Sequence, residues 1–356
     1  MRKCSFLLLA VMLLVMPIAA CRSRSSEKSA QADTKGETSS SGLLNKIKSR
    51  GKLVCGVSGN LPGFSFVEQS GKYSGLDVDV CRAVAVALFD NPDAVEFRNL
   101  NAKERFTAVQ SGEVDLLSRN TTLTASRETS NAMDFAPVIF YDGQGMMVKK
   151  DSGIKSLKDF EGKSVCVQQG TTNEQNLADT MRKNNVKYTP IVFEEVNPTF
   201  EAYAQGRCQG VTSDRSQLES RRSVLPDPNN HTVLSEVMSK EPLAPAVATG
   251  NPQWSNIVRW TVYALIEAEE QGIDSKNVDQ KLTSNDPVTK RFLGTEGNLG
   301  QGLGLSNDFA VRVIKKVGNY GEIFDRNVGA QSNFKMERAQ NNLWSKGGLM
   351  YSPPFR

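Results

Sequence analysis

The chain holds a single histidine, His231, among 356 residues. That scarcity excludes multi-histidine metal sites and makes any Ser-His or Cys-His mechanism depend on one residue. Cys-x-x-Cys is absent, so a redox dithiol or a zinc site has no motif to rest on. No Walker A sequence occurs, and the glycine-rich stretch at 294–304 lacks Gly-x-Gly-x-x-Gly spacing, which leaves nucleotide binding without a signature. Charge of one sign is not concentrated. Lys plus Arg number 43 against 39 for Asp plus Glu, and the basic residues are scattered, which argues against a nucleic-acid partner. There is no repeat of fixed period, and nothing implies a metal or a cofactor.

What is present is ordinary for a soluble globular protein: 23% charged residues, 39% hydrophobic residues, and length for about two domains. The start is less ordinary. Arg2 and Lys3 precede an apolar run at 6–16, too short for a bilayer-spanning helix, and then Pro17-Ile18-Ala19-Ala20-Cys21. These are the charged, apolar and small-residue regions of a secretory signal. Ile18-Ala19-Ala20-Cys21 resembles a bacterial lipobox, which implies a signal peptide over 1–20 and a lipid on Cys21; an ordinary Ala-x-Ala type cleavage nearby is the competing reading. Two or more acyl chains would hold the mature protein on a membrane surface without crossing it, in the periplasm or on the outer face of the cytoplasmic membrane. After Cys21 the composition turns to Ser, Thr, Lys, Glu, Gln and Gly through residue 42. Such a segment cannot bury enough surface to offset its ordering entropy, and 21–42 is expected to be a flexible tether reaching roughly 25 Å.

Cys4 leaves with the signal, and four cysteines remain beside Cys21: Cys55, Cys81, Cys166 and Cys208. In an exported protein an even set suggests disulfides, with three possible connectivities. Cys55 lies in an apolar strand and Cys81 early in the helix that would pack on it, while Cys166 and Cys208 lie in two similar strand-like segments. Pairing 55 with 81 and 166 with 208 would contribute roughly 3 to 4 kcal/mol each in the chain-entropy account. Four buried thiols are the alternative.

Beyond the tether, short apolar runs alternate with amphipathic ones, the pattern of an α/β protein. Strands are expected at 52–57, 94–98, 115–118, 145–149, 164–168, 187–193 and 210–213. Helices are expected at 78–89, 102–110, 173–184, 198–205 and 217–225, and again at 252–271, 278–292 and 308–318.

Several turns between these elements carry polar chemistry. Gly75-Leu76-Asp77-Val78-Asp79 starts a helix with two carboxylates that complement its dipole. Asn120-Thr121-Thr122 runs through a polar turn to Arg127. A free amino acid is a zwitterion, and burying it requires a bidentate cation for its carboxylate together with hydroxyl or backbone partners, a set that Arg127, Thr122 and the Asn120 main chain could supply. Gly170-Thr171-Thr172-Asn173-Glu174 has capping-box spacing at a helix start, where exposed N–H groups bind anions. Asp214 lies beyond a strand's carboxyl end and is a candidate partner for an ammonium group, with a helix cap as its plainer role.

The run from Gly75 to Val84 resembles, position for position, the signature of the family-3 bacterial extracellular solute-binding proteins. From about Leu43 to Arg356 the chain resembles the amino-acid-binding proteins of ABC importers, and most of all the general L-amino-acid-binding subgroup. Runs that carry this likeness are 102–108, Tyr141-Asp142-Gly143-Gln144-Gly145, Ser239-Lys240-Glu241-Pro242-Leu243, 317–324 and 344–349. The resemblance implies the α/β, two-lobed type II periplasmic-binding-protein fold with a ligand cleft between lobes. It places one lobe at 43–143 and 244–356 and the other at 144–243. It also implies a non-enzymatic, monomeric import receptor for L-amino acids, broad or selective for polar, acidic and amide side chains, which closes on its ligand and delivers it to the ABC permease subunits. By the same resemblance Arg127 and Thr122 grip the ligand carboxylate, Asn120 adds its main chain, Thr171 and Thr172 close from the second lobe, and Asp214 holds the α-amino group. Arg105 and Arg119 stand where relatives touch an acidic or amide side chain. One departure matters: where many relatives carry a stacking aromatic, this chain reads Asn60-Leu61-Pro62-Gly63-Phe64, so stacking is lost or moves to Phe64 or Phe66.

Two other functions share this scaffold. A cyclohexadienyl dehydratase would act on a prephenate-like acid in the same cleft, given a general acid over the substrate. A surface lipoprotein that senses or adheres rather than transports would have a similar cleft.

Overall fold

The computed structural model describes residues 37–356. The expected signal peptide, Cys21 and most of the expected tether lie outside them. The helix Glu37–Arg50 begins within the segment assigned to the tether, overlapping it at residues 37–42. Its reason to exist lies further along, where Leu44 and Ile47 are buried in the core and Arg50 pairs with Asp115. A helix held by such packing extends backward at one hydrogen bond per residue. Among the described residues no helix is long and apolar enough to cross a membrane.

One sheet runs in the order Val95–Asn99, Leu53–Val57, Leu116–Leu117, Ala246–Ala248, Met133–Phe135. Its first three strands are parallel and the last two antiparallel to their neighbours. The strand Leu53–Val57 is buried on both faces, which explains its unbroken apolar sequence. Leu53, Cys55 and Val57 meet the helices Leu76–Phe89, Pro252–Glu270 and Phe309–Val317, while Val54 faces Phe106, Val109 and Leu117 on the other side. Gly75 starts the first of those helices at φ +128°, and a Cβ there would lie 2.1 Å from the carbonyl oxygen of Phe64, so the turn requires glycine.

The second sheet runs Thr189–Phe193, Ser164–Gln168, Gly210–Asp214, Phe140–Lys149, His231–Val233. It has its own two-faced core: Val165 and Val167 pack with Phe160, Leu177 and Met181, and Cys166 and Val211 with Phe200, Tyr203 and Leu218. The lone histidine is structural, its buried Nδ1 lying 2.8 Å from the Tyr203 hydroxyl.

Two antiparallel strands link the sheets. Phe140–Lys149 is twice as long as the expected 145–149; its far half pairs with Gly210–Asp214 and its near half with the returning strand Lys240–Leu243. Glu241 stands directly opposite Asp142 in that ladder, and Ala246 then joins the first sheet.

The expected helix at 278–292 is divided into Val278–Lys281 and Pro287–Phe292. Pro287 has no N–H to continue the first piece, and Asp286 accepts the Thr289 N–H at 2.8 Å to start a second. Cys55 is bonded to Cys81 and Cys166 to Cys208, which selects one connectivity of the three; Cys208 lies in the bend before its strand rather than in it. The bridges span 26 and 42 positions of sequence. Loops of that size predict a loss of about 3 to 4 kcal/mol per bridge on reduction. Urea unfolding with and without reductant measures it, and an unchanged midpoint would contradict the account.

Candidate ligand-binding site

The carboxyl ends of the parallel strands in both sheets face one another, and their exits carry the polar segments singled out in the sequence. Asp77 organises the first of these. It is 1% exposed, accepts the Asn120 N–H at 3.0 Å and the Ser118 hydroxyl at 3.4 Å, and so fixes Asn120 at φ +28°. The carboxylate complements the helix start and also ties down the 118–122 turn. Asp79 is tied to Arg82, Arg326 and Asn327 instead.

From that turn the chain enters the short helix Ala125–Thr129, capped by Thr124, which brings Arg127 back so that its Nη1 donates to the Thr122 carbonyl at 2.6 Å. Arg127 lies 5.2 Å from the ring centre of Phe106 and Arg105 4.8 Å from it. Arg105 donates to the Thr121 hydroxyl at 3.2 Å, and its buried Nε has no hydrogen-bond partner among the described residues. Arg119 donates through Nε to the Leu100 carbonyl at 2.8 Å. Burial pushes Arg119 and Arg127 down to about 10 and Arg105 well below its ordinary value, where the charges of Arg127 and Arg119 lower it further.

The other sheet contributes the start of the helix Thr172–Lys183. Thr171 caps it, accepting the Glu174 N–H at 3.1 Å and donating to the Gln168 carbonyl at 2.7 Å. Glu174 reaches the Gly170 N–H, not that of Thr171, so the capping box is only half formed. Thr172 is left to face across, with its hydroxyl 3.4 Å from that of Thr122. Asp214 starts a helix but makes no side-chain cap; its carboxyl accepts from Asn173 Nδ2 at 2.9 Å. Burial, then the charges of Asp142 and Glu241, push Asp214 well above the carboxylate range. Asp142 is pushed up to about 6, by burial first and opposed by hydrogen bonds from Ser216 and Gly143.

The two sides are in contact. Asn120 donates to Gln217 at 3.2 Å, Asn101 to Glu195 at 2.9 Å and Ser220 to the Pro62 carbonyl at 2.7 Å. At Gly170, φ +73°, a Cβ would come within 3.2 Å of the Lys103 Cα, so the left-handed backbone and the close approach together favour glycine. Beside it lies a cavity of about 290 Å³ bounded by Phe106, Thr124, Arg127, Gly170, Thr171 and Thr172.

The structure therefore gathers Arg127, Thr171 and Thr172 around one cavity, with Thr122 bonded to the same group. Arg105 and Asp214 are buried, and Asn120 half-buried, in contact with that framework, while Arg119 lines a separate hollow of about 170 Å³ with Asn101, Gln168 and Glu195. Phe64 does not belong to the site. It is 1% exposed and packs edge to face on Phe140 at 5.1 Å, because Gly63 and Gly75 turn the chain inward there. Phe66 borders a different hollow, with Arg326 and Asn327. The aromatic at the cavity is Phe106, which sequence reasoning passed over although it lies in the 102–108 run. Glu241, Asp142 and Asn173 were likewise missed as site residues; their signal is strand register, which one sequence does not disclose.

Asp77 gives a pH-dependent test. Burial raises it to about 6, opposed by the Asn120 N–H, the Arg119 charge and the Ser118 hydroxyl. The folded state thus holds this proton more tightly than the unfolded chain, so its contribution favours folding below about pH 4 and is lost as pH rises through about 6. Relative to the wild type, Asp77→Asn should gain about 3 kcal/mol of unfolding free energy between about pH 4 and pH 7. A difference that stays flat with pH in urea titrations would refute the assignment.

Comparison with known proteins agrees with this architecture. Residues 53–276 match the bacterial extracellular solute-binding proteins, family 3. The chain is 51% identical to the general L-amino acid-binding periplasmic protein of Rhizobium johnstonii over 315 residues, 88% of this chain and 92% of that one. It is 46% identical to the glutamate/glutamine/aspartate/asparagine-binding protein of Rhodobacter capsulatus, covering 89% and 94%. A solved periplasmic binding protein of an ABC transporter from Brucella ovis, with glutathione bound, is 49% identical and superposes with a TM-score of 0.86 over 88% of this chain and 99% of its own. The fold is the two-lobed one that the sequence implied, and the chain belongs to family 3 of the bacterial extracellular solute-binding proteins.

Proposed function

We propose that this protein is the extracytoplasmic binding component of an ABC importer for L-amino acids, and that it binds without transforming them. The observation that carries the reading is the buried Arg127 facing the Thr171–Thr172 helix start across a cavity of amino-acid size. A zwitterion leaves water only where both of its charges are met. Arg127 and the N–H groups of the opposite helix start meet the carboxylate, and Asp214 with the Asn120 main chain meets the ammonium group. The unpartnered Arg105 Nε favours ligands with an oxygen-bearing side chain, since a buried donor left alone costs about 1–3 kcal/mol. Arg119, one hollow away, is available to a longer ligand.

In this reading residues 43–143 with 244–356 form one lobe and 144–243 the other, joined by the paired strands Phe140–Lys149 and Lys240–Leu243. Ligand selects the closed form, which the permease reads. The protein acts as a monomer held at the membrane by a lipid on Cys21, for which the sequence Ile18-Ala19-Ala20-Cys21 is the support.

A thermal-shift screen of the tether-free protein against the L-amino acids, their D-isomers and prephenate tests the reading. Polar L-amino acids should stabilise it by about 2.7 kcal/mol at a hundred times their Kd. Arg127→Ala should weaken their binding at least about 100-fold, because the carboxylate then lies buried and unpaired. Stabilisation by no L-amino acid, or by prephenate alone, would overturn it.

A further inference from the structure

Glu241 is 1% exposed and sits on the returning strand between the two sheets. Four side chains point donors at it. Thr122 Oγ1 lies 2.6 Å and Thr172 Oγ1 2.8 Å from Oε2, while Asn176 Nδ2, at 2.8 Å, and the Ser239 hydroxyl donate to Oε1. Thr122 comes from the 118–122 turn of the first sheet, Thr172 and Asn176 from the helix start of the second. One carboxylate thus bridges the cleft.

The chemistry of these bonds has a consequence for the hydroxyls. A threonine hydroxyl has one proton and two lone pairs, and an ionised carboxylate can only accept. With both protons committed to Oε2, the contact of 3.4 Å between the two hydroxyl oxygens has no proton left to share. Each hydroxyl can then offer the cleft only lone pairs. Glu241 itself, saturated by four donors, has no role left as a direct partner for a ligand cation.

We infer that Glu241 is a positioning residue for the ligand's ammonium group: it holds the Thr122 and Thr172 hydroxyls as acceptors and so fixes which end of the zwitterion faces them. The inference rests on the amino-acid reading above. It gives Thr122 a different task from gripping the carboxylate, which falls to Arg127 and backbone N–H groups. An ammonium group only donates, so it depends on this orientation. A hydroxyl in its place can donate or accept and does not.

Titration calorimetry with L-glutamate and with (S)-2-hydroxyglutarate separates the two cases. Glu241→Met keeps the length of the side chain and removes the acceptor; it should weaken glutamate about 30-fold and the hydroxy acid no more than about threefold. Glu241→Gln should recover most of the loss, because its carbonyl can accept both threonines once the Asn176 amide turns over. Equal losses for both ligands would indicate a role in lobe closure alone and overturn the inference. Should Glu241→Met fail to fold, Thr172→Val reads the same ratio with Glu241 intact, and an unchanged preference for glutamate there would overturn it too. Failure of the wild type to bind glutamate would instead strike at the amino-acid reading, and the inference would fall with it.

Discussion

Burial of charge governs the region between the two sheets. Arg105, Arg119, Arg127, Asp77, Asp214 and Glu241 are each no more than 6% exposed and Asp142 is half-buried, and moving such groups out of water costs several kcal/mol unless dipoles replace the solvent. The replacements are local and mostly neutral. Asp77 has the Asn120 N–H, Asp142 the N–H groups of Gly143 and Ser216, Asp214 the Asn173 amide, and Arg127 the Thr122 carbonyl. Full compensation is not reached, and burial accordingly drives the carboxyls of Asp77, Asp142 and Asp214 up and the guanidinium groups down. A site in this condition gains from any ligand that brings the missing opposite charge.

Dipoles replace water only if they stay in place, and the rest of the molecule supplies that rigidity. Each sheet carries an apolar core on both faces, and each has a disulfide tying a strand that leads to the cleft: Cys55 precedes the exit at Ser58, and Cys166 the exit at Gly170. Between the sheets the direct hydrogen bonds join polar groups, as in Asn120 with Gln217 and Asn101 with Glu195, while the apolar clusters of the two sheets remain separate. Parting the sheets therefore exposes little apolar surface, and the free energy of closing is left to polar and charged contacts. The C-terminal third holds the base of the linking strands. The Tyr320 hydroxyl donates to the Ile139 carbonyl, and Asn341 both accepts from and donates to the Tyr141 backbone. The helical C-terminal third thus fixes the base of the connection in the first sheet and leaves its far half to move with the second.

Much of this was legible in the sequence, for reasons that differ by element. Doubly buried strands such as Leu53–Val57 and Ser164–Gln168 must be continuously apolar, and capped helix starts such as Thr171 must carry short polar side chains, so periodicity and capping located both within a residue or two. Arg127, Thr172 and Asp214 could be singled out only with the family resemblance beside them, because a turn terminus, a capped helix start and a helix cap account for each when it is read alone. Phe64 misled because an aromatic after Pro62-Gly63 can point either way, and the direction was set by Gly75 closing on its carbonyl, a tertiary contact. Helix formation at 37–42 escaped for a similar reason, since the residues that hold it, Leu44 and Ile47, lie downstream of a segment whose composition alone favours disorder.

Glu241 was hidden more thoroughly, and its concealment follows from what it does. A glutamate between Lys240 and Pro242 looks solvated, and the adjacent proline marks an edge or a turn. Its burial arises only when the returning strand pairs with Phe140–Lys149 and sets it opposite Asp142, with Thr122, Thr172 and Asn176 arriving from segments 119, 69 and 65 positions away. No local pattern encodes a group for which only Ser239, of its four donors, is near in sequence. A carboxylate that draws donors from both sides of a cleft is stable only where those sides meet, so the residue that best reports closure is also the one whose own sequence neighbourhood says least about it.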